Sequence, residues 1–141
     1  MPKFVSGDDV YVGGVKLYNS GESYSSAEID AKIPAKPVPT GASLDATKTI
    51  VTISFDKPIF RNELVDADFK ALFTVATDGS TFSALGVSDT VVVTDNRVIT
   101  ITFNSALTTA TNLIKMDAEA IMNSIGGLND AYTTDALDAT A

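Results

Sequence analysis

From residue 50 onward apolar and hydroxyl-bearing side chains recur with a period of two, and a chain patterned this way is bound to build sheets. Residues 50–55 are β-branched and aromatic in the manner of a strand. Residues 91–94 and 98–103 repeat the pattern and are joined by Asp95-Asn96-Arg97, a hairpin turn. Further strands are expected at 73–76, ending at Thr77-Asp78-Gly79, at 81–85, at 113–116, and at a final segment within 131–140. Residues 66–72 read instead as a short helix with Asp66 and Asp68 favourably placed at its start, and 105–110 as a lesser helical turn. Six or seven short strands separated by frequent turns predict an all-β antiparallel sandwich, with Phe55, Phe69, Phe73, Phe82 and Phe103 filling its core. No internal repeat is present, which argues against a solenoid.

The N-terminal part is patterned differently. Pro34, Pro37 and Pro39 remove backbone donors and fix φ, so residues 34–41 are expected to form an extended linker between an arm, 1–33, and the sandwich, 42–141. Residues 10–18 read as two short strands around Gly13-Gly14, a pair suited to a tight hairpin. Ser25 and Glu28 match a capping box for a short helix that Pro34 would end. So few residues cannot enclose a core. The arm's apolar and aromatic residues Phe4, Val10, Tyr11, Val12, Leu17, Tyr18, Tyr24, Ile29 and Ile33 are therefore expected to bind a partner surface, tyrosine being a residue that interfaces favour. The competing reading packs the arm on the chain's own sandwich.

Composition removes most chemistries. The 141 residues contain no cysteine and no histidine, so thiolate metal sites, disulfides and Ser-His-Asp or Cys-His nucleophile systems cannot form within the chain. The net charge is −8, and residues 37–141 alone carry six basic and thirteen acidic groups. Such a body repels nucleic acid and anionic lipid. No segment approaches the roughly 18 apolar residues of a membrane span. The pairs Asp66/Asp68 and Asp117/Glu119 have a spacing that glycosidase carboxylates could use, but nothing patterned as a pocket or aromatic subsite accompanies them, and no enzyme is expected. Asp45, Asp56, Asp78, Asp89, Asp95 and Asp130 also fall near turns. Without an Asp-x-Asp-x-Asp-Gly run they read as turn residues before they read as calcium ligands, and no metal or cofactor is expected. Arg61 and Arg97, the two arginines, are expected in loops. The absence of tryptophan weakens a sugar-binding reading, and Gly13-Gly14 lacks the surroundings of a nucleotide loop.

Residues 51–59, a strand running into Asp56-Lys57-Pro58, resemble the start of the bacterial Ig-like domains of S-layer and other surface proteins. Residues 73–82 look like the next hairpin of those domains, 98–107 like their strand and small-residue loop, and 114–121 like the segment before the closing turn. The resemblance spans about residues 42–136. It departs at the closing turn, where the family often has Asp-x-x-Gly-Asn and this chain reads Asn123-Ser124-Ile125-Gly126-Gly127-Leu128-Asn129-Asp130. The resemblance implies an Ig-like sandwich. Residues 1–15 carry Asp8, Asp9, Gly13 and Gly14 and no apolar run of the kind an export signal needs, which adds the expectation of a protein made in a cytoplasm. Arm, linker and Ig-like body together resemble the layout of a phage capsid decoration protein. That layout implies a virion structural protein on the outer capsid surface, with the arm on the major capsid protein as a trimer or as a monomer. The body would project outward to steady the capsid or hold weakly to host-surface glycans. The alternative is a spacer or carbohydrate-binding module of a bacterial S-layer or adhesin.

Overall fold

Alternation of inward apolar and outward hydroxyl residues builds the larger of two units into which the chain divides, Met1–Ile33 and Pro34–Ala141. The computed structural model describes residues 9–12, 15–19 and 36–141. In the first unit, β1 (Asp9–Val12) pairs antiparallel with β2 (Val15–Asn19), Val12 standing opposite Val15 and Val10 opposite Tyr18, with an irregularity between Val10 and Tyr11. These are the two strands expected around residues 13 and 14. The Gly13-Gly14 turn itself and the expected capped helix from Ser25 lie outside the described residues.

The second unit contains two four-stranded sheets. One runs β3 (Pro39–Leu44), β4 (Ile50–Phe55), β9 (Val98–Thr102), β8 (Thr90–Thr94), every neighbour antiparallel. The other runs β12 (Tyr132–Thr133), β10 (Leu113–Met116), β6 (Phe73–Ala76), β7 (Ser83–Ala84), also antiparallel. A two-stranded ribbon of β5 (Phe60–Arg61) and β11 (Ile121–Met122) accompanies them, and one helix, α1 (Asp66–Ala71), precedes β6. Register explains the core. The row Leu44, Val51, Ile101, Val91 and the row Ala42, Ile53, Ile99, Val93 face inward from the first sheet. Phe73, Ile114 and Met116 come from the second and join the same apolar cluster. Two sheets sharing one core make the antiparallel Ig-like sandwich expected from the strand pattern.

Helix α1 buries Phe69, whose ring meets Phe73 edge-on at 5.3 Å and 73°. Such a pair adds about 0.5–1.5 kcal/mol beyond the area it covers. Phe82 departs from the expected core set: it is only partly buried, and the Lys115 ammonium lies 5.8 Å from its ring centre. Its strand is confined to Ser83–Ala84, too short to carry Phe82 inward. The helical turn expected over 105–110 is replaced by bends and irregular chain, which Leu107 anchors by its burial and by a bond from its N–H to the Lys48 carbonyl, 2.8 Å. The linker expected through Gly41 also ends sooner. Pro39–Leu44 pairs with β4, because prolines tolerate an edge strand and a register irregularity between Pro39 and Gly41 absorbs the missing donor.

Candidate functional site

The partner-binding residues expected from the sequence fall in the first unit. Val10, Tyr11 and Val12 lie on β1 and Leu17 and Tyr18 on β2, so the hairpin brings five of them into one two-stranded ribbon. Phe4, Tyr24, Ile29 and Ile33 lie outside the described residues.

Where the chain enters the second unit, its first described residues are clamped. The Val38 N–H donates to the Asp56 carboxylate at 3.0 Å, and the Asp56 N–H returns a bond to the Val38 carbonyl at 3.0 Å. Lys57 donates to the Lys36 carbonyl at 2.9 Å and pairs with Asp56 at 2.7 Å. The Arg97 guanidinium holds the Asp56 carbonyl at 2.8 Å, and Lys36 reaches Asp130 at 2.7 Å. Pro37 is buried amid these bonds. The bond from Lys57, and next that from Val38, hold the Asp56 carboxyl below the ordinary 3.8. Asp56-Lys57-Pro58, which the sequence offers only as a likeness, thus fastens the chain at the start of the body. Residues 36–38 are fixed to it and do not act as free spacer.

The carboxylates are spent on turns. Asp45 accepts from the Thr47 hydroxyl and from the N–H groups of Thr49 (3.1 Å) and Ile50 (2.9 Å), which lowers its pKa, the Thr47 bond first. Asp78 accepts from Thr81 N–H at 2.7 Å and Ser80 N–H at 2.9 Å, and these bonds bring it to about 2. Asp89 bridges Gly86 N–H at 2.6 Å and Asn104 N–H at 2.8 Å. Asp66 and Asp68 stand exposed on the first turn of α1, and Asp117 and Glu119 are exposed in the connection from β10 to β11. Among the described residues no group of three or more acidic side chains is disposed to hold a metal ion.

Both arginines are structural. Arg61 is in β5 and not in a loop: its guanidinium lies 4.6 Å over the Phe69 ring, bonds Asp66 at 2.6 Å and donates from Nε to the Glu63 carbonyl at 3.0 Å. Arg97 sits in the β8–β9 turn. The closing segment, where the family pattern was missing, is held by asparagines that sequence reasoning passed over. Asn129 accepts the Ile121 N–H at 2.9 Å and donates to the Asp117 and Asp130 carbonyls, while Asn123 accepts the N–H groups of Ile125 and Gly127. The turn between them uses Gly126 at φ +90°.

No protein-family model matches the chain, and no curated protein matches it. Among solved structures it is similar to the N-terminal part of the bacterial S-layer protein SbsC, with a TM-score of 0.52 and 16% sequence identity over 79% of this chain. The chain covers 25% of that one. What the two share is a fold. The likeness agrees with the S-layer side of the resemblance seen in residues 51–121, and it bears on architecture alone.

Proposed function

We propose that this protein is a structural module of a protein-built surface, docked by residues 1–33 and displaying or spacing through its β-sandwich body. The observation that carries this reading is the division at residue 33. The larger unit closes a core from its own strands, while the smaller one presents a two-stranded ribbon bearing Val10, Tyr11, Val12, Leu17 and Tyr18. Thirty-three residues are too few to enclose a core of their own, so a partner surface would stabilise this unit. The aspartates bonded into turns, and the exposed α1 pair, support a non-catalytic reading of the body. The one tyrosine of the body, Tyr132, is partly buried in β12, which favours spacing over sugar stacking.

Two settings fit this module. Fold likeness to an S-layer protein favours a bacterial surface layer or adhesin, with the body as a spacer. The separate small unit favours a phage capsid, with the major capsid protein as the docking lattice and the sandwich turned outward. The full chain and a chain lacking residues 1–33 should be offered to undecorated capsids and, in parallel, to stripped cell-wall preparations. Binding that requires residues 1–33 is expected on one of the two surfaces, and which one identifies the setting. Equal binding by both chains would defeat the docking role.

A further inference from the structure

An edge strand exposes a row of unpaired backbone N–H and C=O groups, and sheets usually blunt it by shortness, proline, charge or a bulge. Three of the four edges of this sandwich are blunted. β7 and β12 have two residues each, and β3 begins with Pro39 and carries a register irregularity. The fourth, β8, is not. Its five residues, Thr90-Val91-Val92-Val93-Thr94, pair with β9 without a break and contain no charge, proline or glycine. Among the described residues no backbone hydrogen bond joins β8 to any strand other than β9. The central one of its outward side chains, Val92, is 44% exposed. A hollow of about 380 Å³ separates Thr90–Val92 from Asp66, Ala67 and Lys70 of α1, so the helix flanks this end of the strand without bonding to its backbone. The Lys70 ammonium fixes the approach to this edge by donating to the carbonyls of Gly86 (2.7 Å), Val87 (3.2 Å) and Asp89 (3.0 Å).

The sequence of β8 reads the same in both directions. We propose that β8 is an association edge at which a second copy of this chain pairs antiparallel about a two-fold axis at Val92. In that register Val92 meets Val92 of the second copy, Val91 meets Val93, and Thr90 meets Thr94, so each side chain finds its own kind. Inward valines stay inward, and the outward row Ser43, Thr52, Thr100, Val92 continues into its copy. The adverse pairs are the two symmetry-related ones, Asp89 of each chain opposite Asp95 of the other, added to a net charge of −8 on each chain. Pairing is therefore opposed by charge and strengthens with salt, the reverse of an interface held by ion pairs. The proposal goes beyond surface docking and does not depend on residues 1–33.

The full chain contains no cysteine, so Val92→Cys introduces a single thiol. Opposed residues of antiparallel strands have Cα atoms about 4.5–5.5 Å apart, within disulfide reach. With diamide as oxidant, Val92→Cys is expected to form a covalent dimer at least about tenfold faster than Ile125→Cys, whose thiol would be more exposed but lies in the turn between Asn123 and Asn129. In sedimentation velocity the wild-type chain should dimerise more strongly as salt rises, and Val92→Lys should weaken the dimer by about tenfold or more. Cross-linking at equal rates, self-association unchanged in Val92→Lys, or a wild-type chain that stays monomeric at every concentration and salt would each overturn the proposal. Because the cross-link reads register at Val92, association through residues 1–33 cannot imitate it.

Discussion

Asp78 illustrates how single residues set the acid limit of this fold. Its carboxylate, held at about 2 against an ordinary 3.8, binds its proton less readily folded than unfolded. Its stabilisation is complete above about pH 4 and fades as pH falls toward 2. Asp45, Asp56 and Asp138 are shifted the same way, Asp138 chiefly by the Thr140 hydroxyl, so their contributions also weaken as pH falls below the ordinary carboxylate range. The urea midpoint should therefore drop steeply below about pH 4, and Asp78→Asn should make that drop shallower. At the core, Phe69→Ala removes the edge-on contact with Phe73 and the face under Arg61, and should cost about 3–5 kcal/mol in denaturant unfolding. Asn129→Ala would strand the Ile121 N–H and two carbonyls. A loss of about 1–3 kcal/mol for each group left buried without a partner is expected in the same measurement.

At the scale of elements, the β8–β9 hairpin depends on a turn in which Asp95 and Asn96 adopt φ of 50° and 45°. Asp and Asn tolerate this left-handed region, whereas a β-branched residue does not. Asn96→Val should cost about 1–3 kcal/mol in thermal or urea unfolding, and should slow the pairing of the two strands. The clamp at the entry to the body is a second such element. Asp56→Ala removes the acceptor for Val38 and the partner of Lys57, so residues 36–38 should become accessible to limited proteolysis while the sandwich stays intact. Unchanged protection there would show that Pro37 burial, the Lys57 bond to the Lys36 carbonyl and the Lys36–Asp130 pair hold the segment without the carboxylate.

For the whole molecule, among the described residues every buried apolar member of the core cluster lies at or beyond Val51. A chain lacking residues 1–33 should accordingly unfold cooperatively at nearly the same temperature as the full chain, as followed by circular dichroism, while losing the surface binding proposed for it. A large fall in that temperature would mean that the first unit contributes to the body's stability.

The strands at 50–55, 73–76, 90–94, 98–102 and 113–116 and the helix at 66–71 were legible in the sequence, because local alternation and turn residues dictate them. Local pattern also marked the two strands around residues 13 and 14. It could not show that Pro39–Leu44 is a strand, since only pairing with β4 makes it one, nor that β5 and β11, two residues each, form a ribbon. Phe82 reads like Phe73 in the sequence, but the edge strand begins only at Ser83, and Phe82, just before it, stays partly exposed. The roles of Asp56, Asn129 and Arg61 arise from partners 18, 12 and 8 residues away. That β8 lies at a sheet edge was likewise a tertiary matter. Alternation is a property of neighbours along the chain, whereas an edge, a clamp or a bonded asparagine exists only once distant segments have met.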